Sequence, residues 1–204
     1  YLSQHDVNVI YVAFNHHKYG DFKPYIFKSG DKGNSWQSIS SNLPERGSVY
    51  SIEEDHIDPN LIFCGTEFGA FFSPDSGGSW KELSAGLPTI AVRDIAIQRR
   101  ENDLVLGTFG RGFYVMDDYS VLRSIENSET PLEAKIFDVR DALMWEKANP
   151  LGLPGKAFQG DNFYLAENLD PVAIFTYNYN EKFESIKSKR QKAEKKLIEE
   201  KNDV

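Results

Sequence analysis

The chain has 204 residues, a formal net charge of −8, a pI near 5.1 and one cysteine. So acidic a chain carries no basic field for a nucleic-acid backbone or an anionic membrane surface, and nucleic acid is excluded as an expected partner. No apolar run approaches the ~20 residues of a membrane span, so no membrane insertion is expected in this segment, and Cys64, with no cysteine partner, reads as a small core residue.

In chain order, the first predicted strand is 9–13, followed by an enlarged loop, roughly Phe14 to Lys23, that holds His16, His17 and Asp21. A second strand, 25–28, leads into Ser29-Gly30-Asp31-Lys32-Gly33-Asn34-Ser35-Trp36. Asn42-Leu43-Pro44 punctuates the link to strand 49–53, and Glu53, Glu54 and Asp55 run from its end toward the His56 to Pro59 turn. Strands 61–65 and 70–73 flank a turn at Glu67-Phe68 and deliver a second octet, Ser73-Pro74-Asp75-Ser76-Gly77-Gly78-Ser79-Trp80. Gly86-Leu87-Pro88 then introduces strands 92–97, 104–108 and 112–115, with Phe109-Gly110-Arg111 in the turn between the last two.

Both octets read Ser-x-Asp-x-Gly-x-Ser-Trp and are offset by 44 residues. The pattern has a local cause: a short Asp accepts hydrogen bonds from turn N–H groups, Gly supplies a positive φ, and Trp anchors the turn on a neighbouring layer. Such a turn is called an Asp-box, and a period in the low forties is the size of a four-stranded propeller blade. The repeat continues, because 60–66 lines up on 102–108 at an offset of 42, which places Phe71-Phe72 on Phe113-Tyr114 and Asp75 on Asp117. Tyr119 and Leu122 replace the Gly and Trp of that third box, which has decayed, as happens where an array ends.

Beyond Arg123 the organisation changes. Residues 124–133 read as a linker, 134–145 as an apolar stretch, 149–160 as a Gly/Pro loop and 172–177 as a strand without a visible partner. Residues 181–201 read as a charged helix with a narrow stripe of Phe183, Ile186, Ala193 and Leu197. The expected fold is all-β: a partial β-propeller of Asp-box blades over 1–123, then the start of a β-sandwich-like domain over 134–204 with a helical insertion. About three blades do not close a ring of roughly four to eight, and the chain opens on Tyr1 directly ahead of a strand, which predicts a segment of a larger protein.

The segments Gly47 to His56, Phe63 to Gly69, Leu87 to Ile97 and Leu106 to Tyr119 resemble the closing blades of large bacterial Asp-box proteins, called sortilin-like or neuraminidase-repeat glycosyl-hydrolase-like. The resemblance covers 1–123 strongly and 136–204 more loosely. It implies an exported protein, extracellular, periplasmic or cell-surface, with one or two propellers, and no particular reaction. Sialidases of this repeat type need an arginine cluster with a Tyr/Glu nucleophile pair and an acid Asp, and the arginines here form no such motif. Xyloglucanase-like enzymes need two acidic residues across a cleft, and no sequence-local pair takes that role.

The leading expectation is therefore a non-catalytic recognition scaffold that binds a protein, peptide or glycan through one propeller face. The alternative is a glycoside hydrolase whose acids lie largely outside this segment. Ligand-contact candidates are Arg111, Glu67 and Phe109 in the equivalent turns and His16 and His17 in the enlarged loop, where adjacent histidines on an extended chain point apart and disfavour a shared metal. Structural box residues are Ser29, Asp31, Gly33 and Trp36, with Ser73, Asp75, Gly77 and Trp80. Glu53, Glu54 and Asp55 offer oxygen donors suited to Ca²⁺ but lack an EF-type spacing, and some of them are expected on a solvated face. No metal site and no cofactor is expected.

Overall fold

The computed structural model describes residues 1–125, 134–142, 144, 146, 170–179 and 184–202. The chain divides into two compact units, Tyr1–Asn127 and Ser128–Val204. The expected Gly/Pro loop at 149–160 and most of the expected linker lie outside the described residues.

The first unit holds three antiparallel sheets. Strands β1 (Ile10–His16), β2 (Asp21–Ser29) and β3 (Gln37–Ser38) form one, and β4 (Val49–Glu54), β5 (Ile62–Thr66), β6 (Gly69–Ser73) and β7 (Lys81–Glu82) form a second. Strands β8 (Val92–Gln98), β9 (Asp103–Thr108) and β10 (Phe113–Met116) form the third, in the order β10-β9-β8. Strand β1 corresponds to β5 and β9, so the first sheet has no full counterpart of β4 and β8. Its place is taken by a stub at residues 1–3: Leu2 bridges Ile10, Tyr11 N donates to Tyr1 O and Ser3 N to Val9 O.

Period-two alternation assigns the two faces of each strand to different neighbours. In β5 and β6, Ile62, Cys64 and Phe71 join Tyr11, Ile26, Ile39, Leu43 and Trp80 in a core between the first two sheets. The intervening residues Leu61, Phe63, Ala70 and Phe72 join Val92, Ile95, Leu104 and Leu106 in a core between the second and third. Both faces being covered is why the sequence from Leu61 to Cys64 is continuously apolar. A Cβ on Gly65 would meet Val92 O at 2.6 Å, so the close approach of β5 and β8 requires glycine there.

Both octets fold into the same turn. Asp31 Oδ1 accepts from Ser35 N and Ser29 Oγ at 2.8 Å each, and Asp75 Oδ1 accepts from Ser79 N at 2.8 Å and Ser73 Oγ at 2.6 Å. The Ser29 and Ser73 hydroxyls in turn accept from Gly33 N and Gly77 N at 2.8 Å. The glycines have φ of 89° and 94°, and Lys32 and Ser76 before them also sit at positive φ. These bonds draw the Asp31 carboxyl down to about 2, Ser35 being the main cause, and lower Asp75 against the opposing effect of its partial burial.

Several expectations change. The enlarged loop is a hairpin extension: β1 runs to His16, a 3-10 turn spans His17–Tyr19, Gly20 turns at φ 78°, and β2 starts at Asp21. Phe14, on the extension, stacks on Tyr25 at 5.2 Å and Phe27 at 5.5 Å, which explains why the strand continues. Trp80 is buried as expected, with Nε1 donating to Ile39 O at 2.7 Å. Trp36 is 44% exposed and donates only to Gly33 O within its own turn, because no described layer covers it.

The third repeat carries one extra turn residue. Tyr114 pairs with Leu106 as Phe71 pairs with Cys64, so the equivalence there is 43 residues, and Phe71-Phe72 match Tyr114-Val115. Asp118, which matches Asp75 at that offset, takes a positive φ of 45° and caps a 3-10 helix over Tyr119–Ser124 by accepting from Ser120 N, and among the described residues no fourth strand joins β10.

In the second unit, β11 (Lys135–Ile136) pairs with β12 (Tyr177–Asn178), and Phe137 N donates to Thr176 O. Residues 172–176 are not strand, and the expected strand without a partner is corrected to this short pair. Helix α1 spans Ile186–Asn202, starting later than expected. Ser185 Oγ accepts from Ser188 N at its start, and Arg190 pairs with Glu194 one turn on. Of the expected stripe, Ile186 and Leu197 are exposed, and Phe183 lies outside the described residues. No described helix is long and apolar enough to cross a membrane.

Candidate functional site

The turns 67–68 and 109–112, the hairpin tip 17–20, and the starts of β4 and β8 all lie at one end of the three sheets, because strand pairing places them there. Glu67 N donates to Ser48 O and Phe109 N donates to Ala91 O, the same bond in two successive repeats. The expected candidates Arg111, His16, His17, Glu67 and Phe109 thus share one end of the first unit, although the structure does not join them in one pocket.

The histidines have separate surroundings. His16 Nδ1 lies 3.9 Å from Asp21 Oδ2, and its ring lies 4.5 Å from that of Tyr19, while His17 Nδ1 meets Asn15 Oδ1. Asp21 also accepts from Tyr25 OH at 2.5 Å, which lowers the carboxyl and raises the phenol. Beside them an open groove of about 950 Å³ is lined by Asp21, Phe22, Tyr25, Ser40, Leu43 and Arg46, with the Arg46 guanidinium 5.3 Å from the Phe22 ring.

A second group centres on Arg93, which sequence reasoning missed. The register shifts between Val49 and Ser51 in β4 and between Val92 and Asp94 in β8, leaving Tyr50 and Arg93 as bulge residues at equivalent positions. The Arg93 guanidinium sits 3.8 Å from the centroid of the Tyr50 ring and 5.3 Å from that of Phe109. Two aromatic faces hold the cation and leave its N–H edge available. Phe109 is 70% exposed, and Arg111 is exposed two residues further along the same turn. Neither Arg93 nor Arg111 has a hydrogen bond or ion pair among the described residues. The signal for Arg93 was its match to Tyr50 at an offset of 43, which an offset of 42 hides.

The opposite end is organised differently. Asp55, fully buried, accepts from Arg123 Nε and Nη2 at 2.8 Å each, from Tyr119 OH at 2.5 Å, and from Ile57 N and Asp58 N. Burial pushes its carboxyl up, but the bonds from Arg123, Tyr119 and Asp58 outweigh burial and hold it at about 2. Burial and Asp55 together raise the Tyr119 phenol. Glu54, on the other face of β4, accepts from Ser3 Oγ, Gln4 N and Tyr11 OH, and Glu53 accepts from Tyr1 OH.

Of the three acids expected to lie partly on a solvated face, Glu53 is half-exposed, and the expectation is corrected for Glu54 and Asp55, which are buried. Successive carboxylates alternate across the strand, so Glu54 ties the second sheet to the first and Asp55 ties it to the third. Both buried carboxylates are saturated by donors of the chain itself, an arrangement for holding sheets together rather than for proton transfer. Among the described residues no group of three or more His, Cys, Asp or Glu is placed to hold a metal ion. No protein-family model matches the chain, and no curated protein matches it.

Proposed function

We propose that this chain is part of an exported Asp-box β-propeller protein, and that it acts as a recognition scaffold binding a protein, peptide or glycan through the turn end of its sheets. The duplicated Asp turn, the stacked sheets and the repeat period support the propeller assignment. The observation that carries the functional reading is the Arg93 guanidinium held between Tyr50 and Phe109, with Arg111 exposed in the same turn as Phe109. Large aromatic and arginine side chains in a preorganised patch are the residue types that dominate recognition surfaces. A glycosidase instead needs two carboxyl groups facing each other about 5 to 10 Å apart in a cleft, and the buried carboxylates Glu54 and Asp55 are bonded within the fold.

A panel of neutral and acidic oligosaccharides and peptides, assayed for binding and for product release with the full chain, tests this reading. Saturable binding weakened by Phe109→Ala, without release of products, is the expected result. Turnover of any glycan by this chain overturns it in favour of a hydrolase.

A further inference from the structure

The link between the first two sheets is tied to the outer edge of β2 at two points. At one, Ile39 N donates to Ile26 O at 3.0 Å and Ile26 N to Ser40 Oγ at 3.3 Å. At the other, Gly47 N donates to Phe22 O at 2.8 Å. From Ile39 to Gly47 the link takes eight residue steps where β2, from Ile26 back to Phe22, takes four, so it bows away from the strand between its ties. Leu43, buried in the first core, fixes the middle of the bow. The groove of about 950 Å³ beside the hairpin lies between this bow and β2, within the ~300–1,000 Å³ usual for ligand sites.

The charged side chains of the lining balance, Asp21 and Glu45 against Lys23 and Arg46, in a chain of net charge −8. Such a lining favours neither an anion nor a cation. Among these charges stand the hydroxyls of Tyr25, Ser38, Ser40 and Ser41, and beside them the Phe22 ring, 37% exposed, with the Arg46 guanidinium 5.3 Å from its centroid. Arg46 and Phe22 hold each other in place, so an apolar ring is presented next to mixed donors and acceptors. The backbone adds an exclusion. Ile26 and Phe22 turn their polar groups toward the link, so by the two-residue period Pro24 between them does the same, and proline has no N–H. A peptide strand laid along this stretch of β2 finds no donor at its centre.

We propose that this groove binds a neutral oligosaccharide. Sugar hydroxyls donate and accept at once, which matches a lining of carboxylate, guanidinium and hydroxyl groups, while the C–H face of a pyranose ring packs on Phe22. The balanced charge selects against uronates and polycations, and Pro24 selects against an added peptide strand. An open groove of this size takes a chain of sugar units rather than a single one. The site is separate from the Arg93 corner, so it goes beyond the recognition reading above and does not depend on a ligand being held there.

The test is isothermal titration of the full chain with cellohexaose, maltohexaose and N-acetylchitohexaose, beside hexagalacturonate, pentalysine and a peptide alternating Ser and Val. At least one of the three neutral sugars should bind with a Kd of about 1 mM or tighter, unchanged by added salt, and each of the other probes at least about tenfold more weakly. Phe22→Ala should weaken that binding about tenfold, and Glu45→Ala, at an exposed position that does not put the fold at risk, about threefold to tenfold. Arg100→Gln, between β8 and β9 at the far end, should leave it unchanged. Weaker binding of all three neutral sugars overturns the proposal, as does tighter binding of a charged probe or of the peptide. Sugar binding insensitive to both Phe22→Ala and Glu45→Ala overturns it too, and if that binding is lost in Phe109→Ala the recognition reading stands without this groove.

Discussion

The turns Ser29–Trp36 and Ser73–Trp80 make the same hydrogen bonds to Asp31 and Asp75 and place Gly33 and Gly77 at φ within 5° of each other, yet their tryptophans end in opposite surroundings. Trp80 is 4% exposed against Ile39 and the first core, whereas Trp36 is 44% exposed and bonds only to its own turn. The comparison separates two roles that one sequence pattern combines. Ser, Asp and Gly build the turn from bonds spanning at most four residues, so it forms wherever the octet occurs. Tryptophan contributes only where a sheet lies beneath it.

The largest expected consequence is at tryptophan. Trp80→Ala should lose about 3–5 kcal/mol of stability by emptying a core site, while Trp36→Ala should lose well under half of that, as measured by chemical denaturation of the full chain. Equal losses would mean that the turn itself needs its Trp.

Glycine sharpens the contrast. A Cβ on Gly77 would lie 2.7 Å from Ile39 Cδ1, whereas one on Gly33 meets nothing closer than Trp36 Cζ2 at 3.5 Å. Both substitutions by Ala pay for positive φ, about 1–2 kcal/mol. Gly77→Ala should cost about 1–3 kcal/mol more through overpacking, and the difference between the two midpoints reads that steric part alone.

The aspartates should differ least in kind. Asp75→Ala is expected to destabilise more than Asp31→Ala, since Asp75 is partly buried and the turn it closes supports a covered Trp. An inverted order in thermal unfolding would show that the exposed turn carries more of the fold than its burial implies.

Acid provides a final, smaller probe, acting on the contact between the second and third sheets rather than on either box. Burial, with Arg123 and Arg99 nearby, lowers the pKa of His56 despite the opposing pull of Asp55, so folding favours the neutral ring. That contribution is present above the unfolded pKa of about 6.5 and is lost as pH falls below it. The contribution of Asp55 is present above about 3.9 and is lost as pH falls toward its folded value. The denaturation midpoint should therefore decline below about pH 6.5, and His56→Gln should flatten that decline while leaving the loss at lower pH. A midpoint unchanged by the substitution at every pH would remove His56 from this account.

What was legible in the sequence had local causes. The octets, the strands around them and the Gly-Leu-Pro and Asn-Leu-Pro links were readable because turn chemistry and period-two burial act within a few residues. Glu54 and Asp55 were not: their partners Ser3, Tyr11, Tyr119 and Arg123 lie 43 to 68 residues away, and a run of acids carries no mark of which donors will reach it. Arg93 escaped for a related reason, since β8 follows β4 by 43 residues and the connection after β8 is one residue shorter than that after β4, so the offset of 42 that aligns 60–66 with 102–108 hides its match to Tyr50. The extended hairpin looked like a loop because its strands are held by Phe14 stacking on Tyr25 and Phe27, a contact between strands that composition does not reveal.

The amino-acid sequence by itself determined that the chain is rich in antiparallel β-structure, repeats with a period in the low forties and closes its hairpins with aspartate-centred turns, because each of these follows from bonds and side-chain alternation over short stretches. Tertiary structure alone decided which tryptophan is an anchor, which carboxylates are buried ties, and which arginines meet aromatic rings and no acid among the described residues. Those outcomes depend on what a neighbouring sheet places opposite each side chain, and that partner comes from a distant part of the chain.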